Sequence, residues 1–370
     1  MAGGGGVSIG EDTLTAARAH ARWEIDARTS YRLIVALFSA PDIGTLAAQS
    51  IAAAAIARRY GNGRLFGLLR PNDAAESFVL ACNPSILAVV EADPEAPMTV
   101  PVDWFDNALF APVKCPDPLW RDRMLTDPTL VLVPTMLGDD ISLLSVVAEA
   151  APVLKLPRDN EPNLFAAMES LGLDRERWFA ALMVDDPTPY LPAICHVVEE
   201  QGGQVARIAP SPAPTLPAAT GVHDLARAPF EVQVAALSRA RYVVADGAGP
   251  SALASAFAVP CAVTNAVDAT NRVWNPADVL LAKTVVGTDG TELGTAEAHR
   301  RGFLRPDAPA GSQRVDNAPE DLVAVARHMF EATADCTGWR IPPEDGPVTT
   351  LETVAFPLET LERPPVRFWD

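Results

Sequence analysis

The chain has 370 residues, 49% of them hydrophobic and 21% charged. That composition excludes a disordered protein, and the length exceeds the usual size of one hydrophobic core, so two domains are expected. A formal charge of −18 repels phosphate backbones and anionic lipid, which argues against nucleic acid or a membrane surface as a bulk partner.

Other counts narrow the class further. Thirty-four prolines are about twice what average usage of about 5% gives, and they point to many extended connections. The five cysteines, Cys82, Cys115, Cys195, Cys261 and Cys336, are scattered with no C-x-x-C pair, which reads as buried free thiols in a reducing compartment. The opening Met1 to Thr13 lacks a basic stretch followed by an apolar one, so a cytoplasmic location is expected.

A polar helix is expected from Glu11 to Arg28. Arg32 to Phe38 is a continuous apolar run of strand length, as in a parallel sheet covered on both faces. Ser39 to Gly44 breaks it, and Thr45 to Tyr60, rich in alanine, predicts a helix. Gly61 to Gly63 stops that helix, and Arg64 to Leu69 is the next strand, completing a βαβ unit. Leu87 to Val90, Leu109-Phe110 and Thr129 to Val133 continue the strands, with a helix from Ile141 to Ala150. The proline-rich Ala151 to Pro162 marks a hinge.

Beyond it a helix is expected near Leu164 to Leu171, a strand at Trp178 to Val184, a helix at Tyr190 to Gln201 and a strand at Gln204 to Ile208. After the proline-rich Pro210 to Pro217, Phe230 to Arg239 predicts a helix and Arg241 to Ala245 a strand. A helix opening at Ser251 and running to Ala258 follows, then Cys261 to Thr264 as a last strand. Asp316 to Ala332 is amphipathic, with Leu322, Val325, Ala326 and Met329 on one face. The tail after Pro342 is read as extended.

The fold class expected is α/β, with two Rossmann-like domains facing a cleft. Residues 1–155 form the first, 156–340 the second and 341–370 a proline-rich tail. Open parallel sheets bind ligands beyond the carboxyl ends of their strands, so the cleft is where the site is sought.

The most informative segment is Val243 to Pro260, where a buried strand ends at Asp246-Gly247 and turns through Gly249-Pro250 into a helix. The first amide hydrogens of a helix lack internal partners and carry partial positive charge, which suits a diphosphate; Ser251 would add a hydroxyl donor. An ordinary capped turn is the plain alternative. Gly247, Gly249 and Ala252 also satisfy G-x-G-x-x-A, but a dinucleotide fingerprint opens its domain at the first strand and this copy lies late.

Asp42, after the first strand, is placed to act as a general base on an acceptor hydroxyl, or simply to cap the helix behind it. Asp139-Asp140 and Asp185-Asp186 could hold Mg²⁺ or form solvated turns. The five histidines show no ligand spacing, and His196 reads as structural among apolar neighbours.

Arg241 to Ala332 resembles the C-terminal half of bacterial glycosyltransferases of the two-domain GT-B fold that act in surface-carbohydrate synthesis. The words carrying the resemblance are Gly249 to Pro260, Thr264-Asn265, Asp278 to Lys283, Asp289-Gly290 and Val315 to Leu322, with Ile43 to Ala47 matching the glycine turn after the first strand. The resemblance implies a nucleotide-sugar donor on the C-terminal domain, a glycan, lipid-linked or protein acceptor on the N-terminal side, and no bound metal or other cofactor. It would place Gly249, Pro250, Ser251 and Ala252 around the diphosphate, with Asn265 and Arg272 on the following loop and Arg272 bonded to the leaving phosphate. Lys283 is either a further cation or a surface lysine.

Two positions depart from the family pattern. Thr45 stands where a histidine base is usual, and Met183 to Asp186 lacks the usual Arg-Asp pair. Asp42 is then the base, or the chain is a GT-B-like binding or assembly subunit. A nucleotide-sugar epimerase and a nicotinamide-dependent enzyme share much of the same pattern, and a homodimer is left open.

Overall fold

The computed structural model describes residues 33–38, 42–60, 65–69, 74–91, 97–100, 109–112, 129–132, 153–184, 188–209, 221–246, 248–267, 275, 277–304, 313–344 and 359–360. The helices expected at Glu11 to Arg28 and Ile141 to Ala150, the Asp139-Asp140 and Asp185-Asp186 pairs, and Arg272 all lie outside them.

The first sheet comprises β1 (Leu33–Phe38), β2 (Leu65–Leu69), β3 (Ile86–Glu91) and β6 (Thr129–Leu132), in the order β3-β2-β1-β6 with every neighbour parallel. Helix α1 (Ile43–Tyr60) and helix α2 (Ala74–Ala81) are its crossovers. A separate antiparallel ribbon pairs β4 (Pro97–Val100) with β5 (Leu109–Pro112).

The second sheet has seven strands. After α3 (Glu161–Ser170) come β7 (Phe179–Met183), α4 (Leu191–Glu200), β8 (Gln204–Arg207), β9 (Val222–Asp224), α5 (Phe230–Arg239), β10 (Tyr242–Asp246), α6 (Ala248–Ala256), β11 (Cys261–Ala266) and β12 (Val279–Ala282). Their order, β9-β8-β7-β10-β11-β12, is the 3-2-1-4-5-6 order of a doubly wound nucleotide-binding fold, and β16 (Glu359–Thr360) extends it in parallel beyond β12. The strands read as apolar runs because both faces are covered: β7 is buried at all five positions.

A small antiparallel sheet of β13 (Thr284–Val286), β14 (Glu292–Leu293) and β15 (Gln313–Val315) packs with α7 (Thr295–Arg300). Helix α8 (Pro319–Ala332) then lies on α4, burying Leu322, Val325, Ala326 and Met329, the face its periodicity marked.

Two Rossmann-like parallel sheets are therefore present, as the alternation of apolar runs and helices implies. Three expectations need correction. Cys261 to Ala266 is not the last strand; β12 to β16 follow, too short to stand out as periodic runs. Helix α6 opens at Ala248, three residues before Ser251, because proline is tolerated in a first helical turn, where its missing N–H is not required. His196 lies on the solvent face of α4, its side chain 61% exposed and 3.4 Å from Glu200 one turn on.

The sheets are joined by helix packing. Helix α1 is buried almost continuously from Gly44 to Ala55 and packs on α6. Ala47, Ala53 and Ala54 of α1 and Ala254 and Ala256 of α6 belong to one apolar cluster, and their small side chains let the two backbones come close. Residues 153–156 tie the halves by backbone bonds, Leu154 N–H to the Ala256 carbonyl and Lys155 N–H to the Cys82 carbonyl, each 2.8 Å.

Candidate functional site

In a doubly wound sheet the crevice opens where the strand order reverses, beyond the carboxyl ends of the strands on either side. Here that point lies between β7 and β10. Helix α4 starts beyond one strand and α6 beyond the other. The apolar core of the sheet gives way at this edge to a connected set of polar side chains.

The set is directional. Asn265 Nδ2 donates to the Tyr190 hydroxyl (2.7 Å), which lies 3.0 Å from Thr264 Oγ1; Thr264 in turn donates to the Ala245 carbonyl (3.1 Å). Since the threonine proton goes to that carbonyl, the tyrosine donates to the threonine. Asn265 and Asn317 bond reciprocally, each backbone N–H to the other's Oδ1, at 2.6 and 2.7 Å. Asn317 Nδ2 reaches the Ala282 carbonyl (2.9 Å), so the ends of β11 and β12 and the lead into α8 are held as one piece.

Burial, reinforced by the charges of Asp246 and Asp316 and opposed by the Thr264 and Asn265 bonds, raises the Tyr190 phenol to about 12. It is a neutral hydrogen-bond donor at physiological pH. Lys283, just past β12, is the nearby cation, with Nζ 2.5 Å from Asp316. At the end of β8 the fully buried Arg207 has a guanidinium nitrogen 3.6 Å from Asp224.

Asn265 lies inside β11 rather than on the loop after it. Its φ of +50° is a left-handed conformation that asparagine tolerates better than most residues, and the register with β12 shifts between Val263 and Ala266. The irregularity turns its side chain toward Tyr190 and Asn317. The family resemblance marked Thr264-Asn265 and, separately, the Val315 to Leu322 stretch that holds Asn317, but gave no sign of Tyr190 or of the meeting of the three across 75 and 52 residues.

Gly249, Pro250, Ser251 and Ala252 all fall in the first half of α6, directly after β10. With Pro250 lacking an N–H, and Ser251 standing where a helix that opens at Ala248 makes its first internal bond, the first-turn amides left for a ligand are those of Ala248 and Gly249. Ser251 is fully buried, so a ligand at this turn would meet backbone amides rather than its hydroxyl.

Asp42 stands at the start of α1 and is exposed. Its two carboxylate oxygens accept from Thr45, one from the backbone N–H at 2.9 Å and one from the hydroxyl at 2.8 Å. It caps the helix. Among the described residues no three histidine, cysteine, aspartate or glutamate side chains gather as a metal site, and no helix is long and apolar enough to cross a membrane.

No family model and no curated protein matches the chain. Among solved structures, a family 9 glycosyl transferase from Veillonella parvula is similar at 11% identity and a TM-score of 0.49, over 82% of this chain and 99% of that one. The E. coli ADP-heptose lps heptosyltransferase II gives 11% and 0.45, over 81% and 99%. A UDP-GlcNAc 2-epimerase from Methanocaldococcus jannaschii gives 12% and 0.30, over 87% and 98%.

Proposed function

We propose that the chain is a glycosyltransferase of GT-B type. It would move a sugar from a nucleotide donor, held by the second sheet, to a hydroxyl of a glycan, lipid-linked or protein acceptor on the side of the first sheet. The observation that carries the proposal is the reversal of strand order between β7 and β10, with the opening turn of α6 and the Tyr190-Thr264-Asn265 chain set around that edge.

In this reaction the bond from the anomeric carbon to the diphosphate breaks and a bond to the acceptor oxygen forms. The acceptor proton passes to a base, and the nucleoside diphosphate leaves with the electron pair. Amides of Ala248 and Gly249 face the charge that develops on the diphosphate, with Ser251 in the same turn, electrostatic stabilisation that requires no metal. Pro250 and Ala252 shape the same turn. Arg272 adds a forked donor to the leaving phosphate, Asn265 binds the donor beside the neutral Tyr190 phenol, and Asp42 takes the acceptor proton.

The engagement of both Asp42 oxygens by Thr45 favours a second reading, a binding or assembly subunit without turnover. Asp42→Ala separates the two. On the first reading it abolishes transfer while donor binding persists; transfer at the wild-type rate removes Asp42 from the base role. In both cases the lost cap lowers stability by about 0.5–2 kcal/mol.

Thermal denaturation of the full chain with UDP, GDP, ADP, CMP or NAD tests the donor site. A nucleotide at a hundredfold excess over Kd stabilises by about 2.7 kcal/mol. Stabilisation by at least one nucleoside diphosphate, diminished in Asn265→Ala, is expected. Stabilisation by NAD and by no nucleoside diphosphate would overturn the reading.

A further inference from the structure

The opposite, amino-terminal edge of the second sheet carries a cavity of about 1020 Å³. It is bounded by residues that precede strands, Arg241 before β10 and Pro260 before β11, and by the segment following α8. Four arginines line it, Arg175, Arg239, Arg241 and Arg340, against two carboxylates, Glu176 and Asp335. On a chain of charge −18 this is a local reversal of sign.

Two of the arginines have evident structural duties. Arg241 donates to the Phe330 carbonyl (2.9 Å) and to Thr333 Oγ1 (3.1 Å), closing the end of α8, and pairs with Asp335 at 3.3 Å. Arg340 donates to the Ser238 and Ala258 carbonyls, near the ends of α5 and α6. Carbonyls at helix ends carry partial negative charge and attract cations.

Helix ends do not account for the other two. The guanidinium of Arg239 lies 4.7 Å from the centre of the Phe165 ring, and that of Arg175 lies 5.7 Å from the same ring and 6.0 Å from Trp339. Phe165 and Trp339 meet edge to face at 5.8 Å. Glu161, 3.0 Å from Arg239, pairs with one of these two cations, and Arg175 has no carboxylate partner among the described residues. Arg239 Nε and Trp339 Nε1 are buried N–H groups with no acceptor among the described residues. Burial and the neighbouring Arg239 lower Arg340 to about 10.

Crowded cations, one of them without a carboxylate partner among the described residues, form a surface suited to an incoming anion. With Glu161 counted beside the two lining carboxylates, the four guanidinium groups leave an excess of one positive charge, and their forked donors suit phosphate oxygens. The cavity is far larger than phosphate, and its aromatic wall suits an organic body.

We propose that this cavity binds a small organic phosphate, with Arg175 and Arg239 supplying charge and Phe165 and Trp339 packing against its organic body. The site is separate from the donor site and does not rest on the glycosyltransferase reading.

Calorimetric titration of the full chain with ADP and with inorganic pyrophosphate tests it. Saturable binding is expected. Arg175→Gln, at an exposed position, should weaken it about tenfold, the scale of one charge-assisted hydrogen bond. Trp339→Phe, which shortens the aromatic wall, should weaken ADP binding several-fold. The component that Arg175→Gln weakens must persist in Asn265→Ala, which perturbs only the donor site. ADP binding more tightly than pyrophosphate identifies a nucleotide-like ligand; equal binding identifies recognition through the phosphates alone, and both support the site. Absence of saturable binding at millimolar concentrations, or wild-type affinity in both Arg175→Gln and Trp339→Phe, would overturn it.

Discussion

Single residues in this molecule show how context decides a role that chemistry alone leaves open. Asp42 and Asp278 are both aspartates near helix or strand starts. Asp42 is exposed and caps α1, whereas Asp278 is 1% exposed and accepts from the Cys261 N–H (2.6 Å) and the Asn275 N–H (2.9 Å). Burial raises the Asp278 carboxyl well above its ordinary value, outweighing those two bonds, which act in the opposite direction. The unfolded chain therefore releases this proton at lower pH than the folded one. Above the ordinary carboxylate range, stability attributable to Asp278 falls as pH rises, until the folded carboxyl itself ionises. Denaturant midpoints measured upward from pH 4 should show this decline, and Asp278→Asn should flatten it. An unchanged slope in the variant would assign the decline to other groups.

At the scale of elements, close packing is specified by small residues. Gly203, ahead of β8, bonds through its N–H to the Val198 carbonyl (2.8 Å), and a Cβ there would lie 2.6 Å from the Trp178 ring. That indole is itself fixed, 5.5 Å from Phe330 and 6.2 Å from Tyr242 between ring centres. Gly203→Ala should destabilise by about 1–3 kcal/mol, the usual cost of overpacking, read as a lower urea midpoint at unchanged slope.

Most elements were legible from the chain. The apolar runs at β1, β7 and β10 and the amphipathic face of α8 are strong local signals, and each element lies within a few residues of its expected bounds. The strands from β12 to β16 are not legible in the sequence because two to four residues carry too little periodicity to distinguish a strand from a loop. The start of α6 lies three residues ahead of the expected one because Gly249-Pro250 signals a turn locally, while the first turn of a helix also accepts proline.

For the whole molecule, the decisive contact is the packing of α1 on α6, which merges side chains of both sheets into one apolar cluster. Coupling of this kind predicts that the two halves unfold together. Scanning calorimetry should give one transition whose calorimetric and van't Hoff enthalpies agree. Two separated transitions would show that the interface contributes little to the stability of either half.

The chain by itself determined the class of fold, since apolar runs and helix periods are local properties that any parallel α/β sheet must satisfy. It also marked the turn after β10, while the family resemblance marked the pair Thr264-Asn265. Only the tertiary structure decided what surrounds them. Tyr190 and Asn317 join Asn265 across 75 and 52 residues, and Arg175, Arg239 and Trp339 meet at the far edge. Such meetings follow from strand order, and strand order depends on how helices cover a sheet rather than on any one segment of sequence.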